Sequence, residues 1–325
     1  MVWTQYILTI EAPTGDVVIS DSLWYATWIL FGLIVGSFLN AAIHRLPREG
    51  MTMSHPKRSV CPTCDATLTW RENVPLLSWL VQKGRCRSCK TPISWRYPLV
   101  EVITASLFFA TAYVSSPEPS ALLFVRCTVL AGIVVATFVD FDFFEIPDEI
   151  SIGGMFLAPL CAAAVPALHS DTWIARIMTS DEILAGGTVD RVASVIACFA
   201  GMAVGGGILI GISWLGKLVY KRDAMGFGDV KLLAAAGGFL GPGGALLALL
   251  IASFAASISG LGNVIRFLCL LRKRTRQRGN GKPFRKSVAA ARIAGRYLPF
   301  GPYLGIGIGV VLLAWKNVVE RFFSY

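Results

Sequence analysis

The chain has 325 residues, of which 54% are hydrophobic and 15% charged, with a formal net charge of +10 and a mean hydropathy of +0.61. Soluble domains carry about 25% charged residues, so composition excludes an ordinary soluble protein and indicates a chain lying mostly in lipid. The spread of the cations excludes a nucleic-acid binder: 25 of the 30 Lys and Arg fall in three blocks, 44–97, 217–231 and 266–296, set between apolar runs. The positive-inside rule makes such blocks cytoplasmic.

A span takes about 20 apolar residues. Eight runs offer themselves: 24–43, 98–115, 120–139, 150–168, 192–219, 229–241, 244–270 and 298–319, the sixth being short. The expected fold is an all-α polytopic membrane protein of about eight transmembrane helices with a small cytoplasmic zinc-binding loop domain. Its parts are an outer N-terminus and first helix (1–43), the zinc-binding loop (44–97) and a transmembrane catalytic domain (98–325). Residues 1–23 hold no Lys or Arg, so they lack the basic region of a cleavable signal peptide. The first run is therefore expected to stay as an anchor, with the N-terminus outside and eight spans returning the C-terminus to the same side.

The loop after the first run holds CPTC at 61–64 and CRSC at 86–89, with 21 residues between the knuckles. Cys61, Cys64, Cys86 and Cys89 supply four thiolates at a spacing that suits a tetrahedral zinc site. With all four used, no coordination position is left open, which reads as structural rather than catalytic metal. A redox dithiol pair is the alternative. His44, His55 and His169 are scattered, and His55 is at best a weak substitute ligand. Cys127, Cys161, Cys198 and Cys269 sit singly in apolar runs and read as small core residues.

The acids come next. VDFDFFEIPDEI, 139–150, follows an apolar run directly. Asp148, after Pro147, reads as a helix cap and Glu149 as a partner of that helix's dipole, while Asp142 and Glu145 read as solvated. Asp140 closes the apolar run itself, where an ionisable side chain is costly and becomes a functional candidate. Asp229 has the same placement in GFGDVK, 226–231; alone, it reads more naturally as an N-cap. The glycines beside it, Gly226 and Gly228, permit tight turns and close backbone approach for an extended substrate. Taken together, two carboxylates at a partly dehydrated edge share a proton and provide one base and one acid. The sequence has no GxSxG and offers little for nucleophilic catalysis.

In this order, GSFLNAAIHRLP (36–47), the CPTC and CRSC loop running through to PLVE (98–101), VDFDFFEIPD (139–148), GFGDVKLLAAAGGFLG (226–241) and PFGPYLGIG (299–307) resemble the type IV prepilin peptidases. The resemblance implies an aspartyl protease of the GxGD class in the bacterial inner membrane. Such a protease removes the short basic leader of prepilins or type II secretion pseudopilins after a glycine. It also implies N-methylation of the new N-terminal residue with S-adenosylmethionine as donor. The family's two aspartates fall on Asp140 and Asp229, at the cytoplasmic edge, and its zinc-type cysteine domain on the four knuckle cysteines. No GxGxxG follows a strand, so no donor-binding residue is assigned. Neither nucleic acid nor a particular oligomeric state is implied.

The alternative from another class is a cation-coupled transporter with the knuckles as a docking module, since intramembrane acids often mark ion paths. It predicts polar groups at mid-depth, yet the middles of 24–43, 120–139 and 298–319 are almost bare of them. The outer segment 169–190 and the basic loop 271–286 have no assigned role beyond attraction of the latter to anionic lipid.

Overall fold

Lipid gives a backbone amide no partner, so an apolar run must satisfy its own N–H and C=O groups within a helix. A computed structural model describes residues 21–48, 50–54, 58–115, 120–178, 190–221, 225–278 and 299–323. Its helices are α1 (Asp21–Arg45), α2 (Leu77–Val81), α3 (Arg96–Val114), α4 (Ala121–Phe143), α5 (Asp148–Ala164), α6 (Trp173–Met178), α7 (Arg191–Tyr220), α8 (Phe227–Arg278) and α9 (Gly301–Phe323), with 3₁₀ turns at Trp70–Asn73 and Pro166–His169. Among the described residues there is no strand, only two isolated bridges. Residues 1–20, His55, 179–189 of the outer segment and 279–286 of the basic loop lie outside this description.

The described parts of all eight apolar runs fall on helices, but among the described residues five helices are long and apolar enough to cross a membrane: α1, α3, α4, α7 over Arg191–Val219 and α8 over Phe227–Phe267. Among the described residues the protein is all-helical and multi-pass, and length and composition support five spans where eight were expected. Two causes account for the difference. Helix α5 and the apolar part of α9, Gly301–Ala314, are short, and the sixth and seventh runs form one 52-residue element, α8, broken at Gly241.

That break follows from local chemistry. Pro242 has no N–H for the carbonyl four residues back, at Gly238, and Gly241 takes φ 70° and ψ 177°, open to glycine and strained for other residues. His169 completes the bend, with Nε2 3.1 Å from Gly238 O and Nδ1 2.9 Å from Ser194 Oγ. A carbonyl oxygen can only accept, so Nε2 carries the proton and Nδ1 accepts from the serine hydroxyl. The imidazole replaces the donor that proline lacks. Burial holds its pKa down to about 4, so it is neutral.

The chain divides into two compact units, Met1–Val135 and Ala136–Tyr325. In the first, α1 lies against α3 at its glycines: a Cβ at Gly32 would stand 2.6 Å from Ala105 Cα, and one at Gly36 2.7 Å from Glu101 Cα. Trp24, Trp28, Phe108, Ala112, Leu123 and Cys127 form its apolar cluster. In the second unit, small residues again bring helices to backbone contact, the usual basis of helix association in lipid. A Cβ at Gly201 of α7 would collide with the Gly237 carbonyl of α8, one at Gly205 would stand 2.5 Å from Leu233 O, and one at Gly307 of α9 would collide with Ala248 O.

Candidate active site and metal centre

Asp140 lies in the last turn of α4 and is 6% exposed. The helix closes just beyond it, where Phe144 takes φ 56° and returns its N–H to Asp140 O at 3.0 Å. Left-handed backbone at a bulky residue is strained and recurs at functional sites. The side chain is fixed from another element: Oδ2 accepts the Gly301 N–H, from the first residue of α9, at 2.9 Å. A Cβ at Gly301 would stand 2.6 Å from that oxygen, so only glycine fits without displacement. Gly301 is the site residue the sequence reading did not single out, although PFGPYLGIG contains it.

Asp229 is the third residue of α8, so it lies inside the first turn and is not the N-cap that its sequence position suggests. A Cβ at Gly226 would stand 3.4 Å from Asp229 Oδ2, and one at Gly228 3.3 Å from Ile146 Cβ in the turn between α4 and α5. Neither glycine adopts a positive φ; what they supply is close approach. Asp140 and Asp229 stand on two helices, α4 and α8, of the same compact unit.

Asp148 is also not a cap. Pro147 holds the N-cap position and Asp148 the first helical one, and its carboxylate pairs with Lys231 Nζ of α8. Lys231 lies 5.6 Å from the Phe227 ring centroid as well, and so links the start of α5 to that of α8. Asp142, Glu145 and Glu149 are exposed.

In the first unit the two knuckles repeat one geometry. Cys61 N–H donates to Ala66 O at 3.0 Å and Cys86 N–H to Thr91 O at 2.9 Å. Asp65 and Lys90, each four residues past the leading cysteine, have positive φ. Bridges Val60–Thr67 and Arg85–Pro92 close the two turns. All four sulfurs lie within 4.8 Å of one another, with Cys61 Sγ and Cys89 Sγ 3.9 Å apart. A tetrahedron with metal–sulfur bonds of about 2.3 Å has edges of about 3.8 Å, so the donor set fits such an ion. The Thr91 hydroxyl and then its amide hold the Cys89 thiol down to about 6, toward the thiolate that ligates.

Side chains of α1 and α3 hold this loop. Glu101, buried in α3, accepts the Leu76 N–H at 2.8 Å and Ser37 Oγ donates to Asn73 O at 3.5 Å, while Asn40 Nδ2 joins α1 to the first turn of α3 by donating to Tyr97 O at 3.0 Å. Glu101 was visible beforehand only as a lone acid inside an apolar run. Among the described residues there is no strand-turn-helix loop to cradle a methyl donor, and no residue is assigned to one.

Two family models match the chain. Residues 30–115 fit the bacterial peptidase A24 N-terminal domain and residues 127–261 the type IV leader peptidase family. The four cysteines fall in the first segment and both aspartates in the second. The chain is 34% identical over 324 residues to the prepilin leader peptidase/N-methyltransferase of Aeromonas hydrophila, covering 93% of this chain and 94% of that one. Identity is 30% over 316 residues with the protein of the same name from Pseudomonas aeruginosa, at 90% and 91% coverage. It is 34% over 227 residues with the type 4 prepilin-like proteins leader peptide-processing enzyme of Escherichia coli O78:H11, at 65% and 75%. No solved structure matches. None of these similarities supports a transporter.

Proposed function

The chain belongs to the type IV leader peptidase family, and from that membership we propose a membrane aspartyl endopeptidase. It removes the leader of type IV prepilins or type II secretion pseudopilins and N-methylates the residue so exposed. The observations that support the assignment of residues are the burial of Asp140 at the end of α4 and the position of Asp229 in the first turn of α8, in the same compact unit. Two carboxyls sharing one proton supply a base and an acid at once. The ionised carboxylate takes a proton from water, whose oxygen bonds to the carbonyl carbon of the peptide after the leader glycine. The protonated carboxyl then gives its proton to the departing nitrogen as the C–N bond breaks. Gly226 and Gly228 allow an extended substrate backbone to approach Asp229.

The four cysteines hold zinc in a structural role, consistent with a closed donor set. S-adenosylmethionine supplies the methyl group when bound. The enzyme lies in the bacterial inner membrane with both acids at the cytoplasmic edge, which the three cationic blocks support. Eight crossings are in keeping with eight apolar runs on helices, two of them joined across Gly241.

The test is co-expression with a prepilin whose N-terminal mass is read. Asp140→Asn and Asp229→Asn each leave the leader in place while the protein stays membrane-inserted. Substantial processing by either variant overturns the pair.

A further inference from the structure

The cytoplasmic loop carries a surface that the peptidase chemistry does not use. Leu77, Leu80 and Val81 of α2 are exposed, Val81 at 73%, and so are Trp70, at 74%, and Trp95. Beside them is an open cavity of about 610 Å³ whose lining includes Gln82, Lys83, Arg85, Arg87, Lys90 and the knuckle Cys86. Glu72 acts on Arg87. Among the described residues, Lys83, Arg85 and Lys90 have no carboxylate within ion-pair distance. Gln82 Oε1 is buried and has no donor among those residues.

The tethers to α1 and α3 fix the level of this surface. Leu76, the residue before α2, reaches Glu101, which stands five residues into α3, or about 7.5 Å along its axis. Asn73 reaches Ser37, eight residues before the end of α1. A segment that dips past the ends of two spans and leaves aliphatic and indole side chains bare faces lipid, where Trp sits at headgroup depth. Four cations around a cavity select an anion. They repel a basic leader peptide and the net-cationic adenosylmethionine alike.

We propose that this face of the loop seats on the bilayer, with Leu77, Leu80 and Val81 at the acyl boundary. The cavity then takes the phosphate of an anionic phospholipid. The site is independent of the peptidase chemistry.

The experiment uses the full chain in nanodiscs of phosphatidylglycerol and phosphatidylcholine, released for native mass spectrometry. The wild type retains phosphatidylglycerol, and the combined Lys83→Gln, Arg85→Gln, Arg87→Gln, Lys90→Gln variant retains it at least tenfold more weakly, given the attraction each basic residue has for an anionic surface. Equal retention overturns the site. Displacement of the lipid by inorganic phosphate reassigns the cavity to a soluble anion and also overturns it. A variant that keeps the lipid and loses prepilin binding makes the face a protein dock instead. If the variant loses its metal, and with it the fold of the loop, quenching by brominated lipid decides. Brominated phosphatidylglycerol quenches the wild type more than brominated phosphatidylcholine does, and Trp70→Phe with Trp95→Phe removes that difference. Equal quenching by the two lipids refutes the proposal.

Discussion

At the scale of single residues, the two groups that most constrain the second unit are a glycine and a histidine. Gly301 gives Asp140 its amide bond with no room for a side chain. Gly301→Ala forces the carboxylate away and should lower kcat for leader removal at least tenfold, the size of one charged hydrogen bond of about 1.5–3 kcal/mol, with KM little changed; steady-state kinetics on a prepilin peptide measures both. His169 acts on stability. His169→Ala leaves the Gly238 carbonyl buried without a donor, a loss of about 1–3 kcal/mol read as a lower melting temperature. The pH dependence has a definite sign: with the folded pKa at about 4 and an unfolded value of about 6.5, the unfolded chain binds more protons as pH falls. Stability is full above 6.5 and declines toward 4, by about 2 kcal/mol at pH 5. His169→Asn should flatten that part of the melting curve against pH. Neither residue's partner was legible in the sequence, because Gly301 meets Asp140 across 161 positions and Gly238 needs His169 only through Pro242. What was legible was the position of Asp140 and Asp229 at the boundaries of apolar runs, where a carboxylate is costly wherever the chain goes.

At the scale of elements, glycines decide which helix faces touch. Gly201 and Gly205 bring α7 onto α8, whereas Gly207 and Gly211 meet nothing within 4 Å. Gly201→Leu should therefore separate the two helices and reduce both melting temperature and leader removal, because α8 carries Asp229. Gly207→Leu, two turns along at most and facing open space, should leave both near wild type. Thermal unfolding in detergent and the prepilin assay give the two readouts. The helices were legible from apolar length alone, whereas the sixth and seventh runs read as separate spans and join in one element broken at Gly241. What a one-dimensional pattern could not supply was the cap assignments: Asp148 yields the N-cap position to Pro147 and pairs with Lys231, a contact across 83 positions.

At the scale of the whole molecule, the four cysteines and the two aspartates belong to different compact units. Metal contributes folding free energy to its loop directly. Cys61→Ser or Cys86→Ser should thus lose the zinc and impair methylation more than cutting. N-terminal mass analysis of a co-expressed prepilin, reading leader loss and an added methyl of about 14 Da, separates the two. Uncut prepilin from an inserted, zinc-free variant would show that the loop supports the protease as well.

The break at Gly241 has a consequence for the lipid around the acids. From Phe227 to Leu240 the first arm of α8 has 14 residues, a rod of about 21 Å, against a hydrocarbon core of about 30 Å. Counted as a crossing of its own, as in the eight-crossing reading, an arm that short leaves a hydrophobic mismatch, which a bilayer relieves by thinning at modest cost per ångström. On the proposed peptidase assignment, a substrate segment that approaches Asp229 passes from a bilayer of ordinary thickness into a thinner one, which brings the peptide bond at its polar end toward water and the two carboxyls.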